Sequence, residues 1–208
     1  MVEQLSSPEY LQFNEQGSLR YGADQDWFPS YWQRKAGCGP TTGAHIALYL
    51  ARTGRLHLAE AVEGREAFVR LMEHSWSRLT PTLMGLNTTR LMHDGLSAFL
   101  NDLGSRKDVR VLDVPQDERN RPDPDTAGAF IRAGLRQDSP VAFLNLHNGG
   151  IPQLETWHWV TIVGLGGSGE ETMMDIYDNG RRLSVPLARW LRDTRRGGGF
   201  VYVDAPAG

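Results

Sequence analysis

The sequence predicts an α+β fold, with a helical first half packed on a C-terminal antiparallel sheet. Three observations predict it. Apolar residues recur at helical spacing from Thr41 to Leu103. From Val109 onward the apolar runs are short and strand-like, bounded by Gly, Pro, Asn and Asp. The turn 166-GGSGE-170 joins two of these runs as a hairpin. Helices first and strands second is the pattern of a segregated α+β arrangement.

In order, residues 1–37 are polar and aromatic, an irregular arm with one short strand ending in the patch 27-WFPSYW-32. A helix follows from Thr41 to about Arg52 and stops at Gly54. Ala44, Ile46, Ala47, Leu48, Leu50 and Ala51 leave it little polar surface, which predicts a buried central helix. A second helix is expected over Ala59–Arg78, with Phe68, Leu71, Met72 and Trp76 on one side, and a third over Thr88–Leu103, stopped by Gly104. Val109–Val114 reads as a strand, and 115-PQDERNRPDPD-125 as a loop. A short helix from Thr126 to Arg136 leads to three strands, 141-VAFLNLH-147, 158-HWVTIVGL-165 and 172-TMMDIYD-178. A short helix at Pro186–Leu191 and a strand, 200-FVYVD-204, close the chain. The reading is one domain over 1–208, with an arm (1–32), a helical lobe (33–104) and a sheet lobe (105–208).

The chain of 208 residues, 40% hydrophobic and 23% charged, has ordinary globular composition. A net charge of −3 gives no reason to expect nucleic acid or an anionic membrane as partner. The first residues lack a basic start followed by an apolar run, and no apolar stretch reaches the ~20 residues needed to span a bilayer. The expectation is a cytoplasmic protein. One cysteine excludes an intrachain disulfide and a cysteine-rich zinc site. There is no HExxH motif, so neither a metal nor another cofactor is expected.

That cysteine, Cys38, lies in 33-QRKAGCGPTTGAHIALYLA-51, where a loop enters the central helix. The first N–H groups of a helix lack partners, and the helix dipole is positive there. A thiolate is stabilised at such a place. Gly39 leaves the approach to the sulfur open, and Pro40 suits a first turn. A nucleophile needs a base, and of six histidines His158 is the one that opens a strand. Pairing the hairpin about Ser168 sets 158 opposite 178, so Asp178 shares a face with His158 while Asp175 points away. Gln33, five residues before Cys38, is a candidate side-chain donor to an oxyanion, beside the Cys38 N–H. Trp32 and Gly37 are the candidate substrate-contacting residues. Strand parity turns Trp157 and Trp159 away from the face of His158, which favours the core for at least one of them.

The order Gln33, Cys38 in 37-GCGPTT-42, His158 in 158-HWVTIVG-164 and Asp178 in 177-YDNG-180 resembles papain-like cysteine peptidases, most of all the bacterial bacteriocin-processing (double-glycine leader) branch. Phytochelatin synthase is similar around the cysteine. The resemblance spans residues 33 to about 204. It implies a papain-like fold and a Cys38–His158–Asp178 triad, with Gln33 at the oxyanion. It also implies cleavage of a peptide or small amide through a thioester. Gly37 stands where the leader peptidases usually have an acid, and Asn179 where they usually have proline. No transporter domain accompanies the sequence, so a standalone domain is expected. Two alternatives stay open: an acyl or peptidyl transferase using the same thioester, and an inactive binding module of the same fold.

Overall fold

A computed structural model describes residues 2–15 and 17–204. The arm carries more structure than its sequence suggests. β1 (Glu3–Gln4), a 3-10 turn (Pro8–Leu11), β2 (Gln12–Glu15), β3 (Ser18–Tyr21) and a second 3-10 turn (Gln25–Trp27) precede α1 (Tyr31–Ala36). Leu5, Leu11, Phe13, Ala23, Trp27 and Phe28 of this segment are all buried. Six apolar side chains recovered from water explain why it packs down instead of trailing.

Only Gly37 separates α1 from α2 (Cys38–Arg52). The expected central helix is thus longer than its apolar spacing indicates and includes the cysteine. Every residue from Gly39 to Leu50 is buried. α3 (Gly64–Arg78) starts later than expected, and residues 59–63 are not helical. Gly64 has φ 73°, a left-handed conformation that breaks the helix on its N-terminal side. α4 (Thr89–Asp102) is capped by Thr88, whose side chain accepts from the Leu91 N–H.

β4 (Asp108–Val114) leads through residues 115–123 to α5 (Pro124–Arg136), capped by Asp123 with Pro124 in the first turn. Arg121 holds that loop by donating to the carbonyls of Pro115, Gln116 and Leu191. β5 (Val141–Asn145), β6 (His158–Gly166), β7 (Met173–Asp178), β8 (Arg181–Pro186), α6 (Leu187–Asp193) and β9 (Gly198–Asp204) complete the chain. β8 is an addition to the sequence reading. The pair Asn179-Gly180, with φ 46° and 76°, makes the two-residue turn into it.

Seven of the described strands form one antiparallel sheet in the order β4-β9-β5-β6-β7-β8, with β1 paired to the far end of β6, while β2 and β3 pair as a separate two-stranded sheet. Helices cover both faces of the large sheet. On one side Trp159 lies against Gly39, and Thr161 meets His45, both on α2. On the other, Gly134 of α5 lies close against Val141 and Tyr202, and Trp190 of α6 packs on Phe143 and Phe200. β5 is buried at every position and β6 from His158 to Leu165. A strand covered on both faces reads as a continuous apolar run, as 158–165 does. No described helix is long and apolar enough to cross a membrane.

Candidate active site

Cys38 is the first residue of α2, partly exposed at the N-terminal end of a helix whose following turns are fixed in the core. Its sulfur lies within the electrostatic reach of the His158 ring and of the backbone N–H groups of Trp159 and Gly39. The Gly39 N–H is one of the unpaired donors that a helix start provides. Burial pushes the thiol up. The His158 hydrogen bond, its positive charge and the two N–H groups outweigh that push, and the thiol lies below its ordinary range.

His158 opens β6. Its Nε2–H donates to Asp178 Oδ1 at 2.7 Å, which leaves Nδ1 for the sulfur. Burial alone lowers an imidazole, but the hydrogen bonds and charges of Asp178 and Cys38 lift His158 to about 10. The two opposed shifts favour the thiolate–imidazolium form of the pair over the neutral one. Asp178 is almost completely buried, with Oδ2 3.7 Å from Arg181 Nη2. Asn145, opposite His158 on β5, donates to the Glu155 carbonyl at 2.6 Å and accepts from Trp190 Nε1 at 2.8 Å. These bonds anchor the loop that delivers His158.

The hairpin register differs from the expected one. Thr161 pairs with Tyr177 and Ile162 with Ile176, and a bulge then shifts the pairing to Gly164–Asp175. Continuing the first register places Asp178 beside Val160, two residues from His158. A shift of two preserves the face, because side chains alternate with a period of two. Asp178 therefore still meets His158, diagonally and not directly opposite. Asp175 sits on the other face, where it binds Arg182 at 2.6 Å.

Gln33 completes a capping box on α1. Its backbone N–H donates to Ser30 Oγ at 3.2 Å, and its Oε1 accepts from the Ser30 N–H at 3.3 Å. Gly37 is buried, where a Cβ would lie 2.4 Å from the Gln33 carbonyl oxygen and 2.6 Å from the Phe28 ring. It lets α1 fold back on Phe28, so its contribution here is close packing. Trp32 is half exposed and lines the cleft in front of Cys38, with Lys35, Ala36, the Leu83–Asn87 segment, Leu144, Leu146, Trp157 and Trp159. Trp159 is the core member of the tryptophan pair and donates Nε1–H to the Leu86 carbonyl at 2.6 Å. Trp157 precedes the strand and escapes its parity, so its indole borders the cleft.

Gln25 is a residue the sequence reading did not single out. It lines the small cavity behind Cys38 together with Thr41, His158 and Asp178, and its Nε2 donates to the Arg34 carbonyl at 2.8 Å. Nothing in its local sequence separates it from an ordinary turn residue. His45 also borders this cavity but is a different kind of histidine. It accepts from the Ala23 N–H at Nε2 (2.8 Å) and donates from Nδ1 to Thr161 (2.9 Å), and burial lowers it to about 3. Among the described residues no group of three or more His, Cys, Asp and Glu side chains is arranged to hold a metal.

No known protein-family model matches the chain, and no curated protein is similar enough to count as a relative.

Proposed function

We propose that the chain is a papain-like thiol hydrolase that cleaves a peptide or small amide bond. The observation that carries this reading is the unbroken series Cys38–His158–Asp178, with Nε2 of the histidine 2.7 Å from the aspartate and the sulfur at a helix start. The Cys38 thiolate attacks the carbonyl carbon, forming a C–S bond. The backbone N–H of Cys38 takes one share of the oxyanion. Gln33 is the second donor in this reading: its Oε1 is held by the Ser30 N–H and its side chain lines neither the cleft nor the cavity at Cys38, so its Nε2 must swing toward the sulfur to serve. His158 passes its proton to the leaving nitrogen as the C–N bond breaks, leaving a thioester. Neutral His158 then takes a proton from water, which attacks the thioester and releases acid and thiolate. Asp178 fixes the ring so that Nδ1 faces the sulfur through both steps.

Intact-mass analysis of the protein with activated amides and esters tests this. A transient acyl adduct on wild type, absent from Cys38→Ala, is the expected result, with free acid as product. Acyl groups appearing on an added amine faster than free acid would assign transfer instead of hydrolysis. No adduct with any substrate would favour the binding module.

A further inference from the structure

Among the described residues, six buried side-chain N and O atoms have no hydrogen-bond partner. Three of them, Gln25 Oε1, Thr41 Oγ1 and Asp178 Oδ2, belong to residues that line the small cavity behind Cys38. Thr41 is 5% exposed and Asp178 3%, so neither finds its partner in bulk solvent. The three come from separate elements: the 3-10 turn at Gln25, the first turn of α2, and the end of β7. A buried polar atom left unpaired is costly, and folded proteins rarely keep one. Three around a single cavity call for one shared partner.

Size and charge identify that partner. The cavity has a volume of about 10 Å³, and roughly 10–15 Å³ is needed to hold one water. Anything larger is excluded. A cation is disfavoured, because Asp178 already faces His158 Nε2 at 2.7 Å and Arg181 Nη2 at 3.7 Å. The other ionisable groups bordering the cavity are Cys38, His45 and Tyr177. His45 is engaged at both ring nitrogens by Ala23 and Thr161, and the Tyr177 hydroxyl accepts from Gln12. The three orphan atoms fit water. Thr41 has a hydroxyl hydrogen to give, whereas Gln25 Oε1 and Asp178 Oδ2 can only accept. A water that accepts once and donates twice satisfies all three.

We propose that this cavity is a binding site for one buried water, which accepts from the Thr41 hydroxyl and donates to Gln25 Oε1 and Asp178 Oδ2. Gln25 Nε2 is held by the Arg34 carbonyl of α1 at 2.8 Å, so the water ties α1 and the start of α2 to the aspartate. It pins the second oxygen of Asp178 while Oδ1 holds His158 Nε2. Thr41 and Gln25 are thus positioning residues that act on the imidazole through the water and Asp178. The water site stands by itself; its effect on Cys38 rests on the reading of Cys38 and His158 as a reactive pair.

The test compares wild type, Thr41→Val and Thr41→Ser by high-resolution crystallography and by the pH profile of Cys38 alkylation with iodoacetamide. Valine keeps the shape of threonine, and the Thr41 hydroxyl has no bond within the protein to lose. Wild type and Thr41→Ser should show one solvent peak at hydrogen-bond distance, ~2.6–3.2 Å, from all three atoms. In Thr41→Val that peak should be lost or displaced. The freed Asp178 carboxylate then turns toward Arg181 and holds the imidazolium less well. The Thr41→Val profile should move to higher pH, with a rate about threefold or more lower near pH ~6, and Thr41→Ser should stay within about twofold of wild type. A wild-type cavity without solvent, or solvent out of reach of Asp178 Oδ2, would overturn the water site. One profile shared by all three proteins would overturn the positioning role. A wild-type profile that rises only in the ordinary thiol range would count against the reactive pair, and the solvent peak would still decide the water site.

Discussion

At the residue scale, the chemistry depends on two opposed shifts. Against their burial, Cys38 is moved down by the hydrogen bond and charge of His158, and His158 is moved up to about 10 first by its hydrogen bond to Asp178 and then by Cys38; Asp178 also keeps the imidazolium oriented. Asp178→Asn retains the shape but can donate to Nε2, which favours the wrong tautomer. We expect a loss of about 10²–10⁴-fold in turnover, with Cys38 still alkylatable. Asp175→Ala removes only a partly exposed pair with Arg182, worth under about 1 kcal/mol, and turnover should stay within twofold. Equal losses from the two would contradict the assignment. Gln33→Glu is the sharper oxyanion test, because it keeps an Oε1 acceptor for Ser30 while removing the Nε2 donors. Turnover should fall about 10²–10³-fold with an unchanged melting temperature; unchanged turnover would exclude Gln33. The positions of Cys38, His158 and Asp178 were legible because each carries a local mark: a helix start, a strand start, a hairpin. Gln25 was not, because its place in the site comes from long-range packing alone.

At the element scale, two signals in the sequence bear directly on site geometry. Asn179-Gly180 is a strong short hairpin signal, and reading it as a turn places β8 after Asp178. Ser30 followed by Gln33 is a capping box, which both predicts α1 and shows what the Gln33 side chain is bonded to. The bulge after Ile162 has no such mark. Strand pairing through a loop of 3-10 geometry depends on how residues 167–172 pack, and symmetry about Ser168 does not capture that. The junction of α1 and α2 gives the prediction at this scale. Gly37→Ala places a methyl against the Gln33 carbonyl and the Phe28 ring. Backbone cannot yield as a flexible side chain does, so a cost of about 1–3 kcal/mol is expected. At ~2–4 °C per kcal/mol for a chain of this size, the melting temperature should drop several degrees, with Cys38 reactivity disturbed as α2 shifts. A calorimetric scan that matches wild type would show that the junction is slack.

At the scale of the whole molecule, the N-terminal segment is part of the fold. Leu5 and its neighbours are in the core, Tyr21 bridges to Gly180 beside the site, and His45 ties Ala23 to Thr161 of β6. The sequence concealed this, because the segment's apolar residues are spaced without a helical or strand period. The His45 tie has a pH consequence. Its folded pKa is depressed to about 3 from an ordinary value near 6.5. Between those values the unfolded chain holds a proton that the native state does not, so its stabilising contribution is full above pH 6.5 and falls as pH is lowered toward 3. From pH 7.5 to 5.5, wild type should lose about 1.4 kcal/mol more than His45→Gln in urea unfolding. Parallel losses in the two proteins would mean that His45 is protonated in the fold.

The measurement that bears most directly on the account is the pH dependence of Cys38 alkylation by iodoacetamide, in wild type and in His158→Ala. The account predicts fast alkylation well below pH 7 in wild type. In the variant, burial is no longer opposed by the imidazolium, so alkylation should require pH at or above the ordinary thiol range near ~8.5. Identical profiles for the two proteins, each rising only above about pH 8, would contradict the thiolate–imidazolium pair and the function built on it.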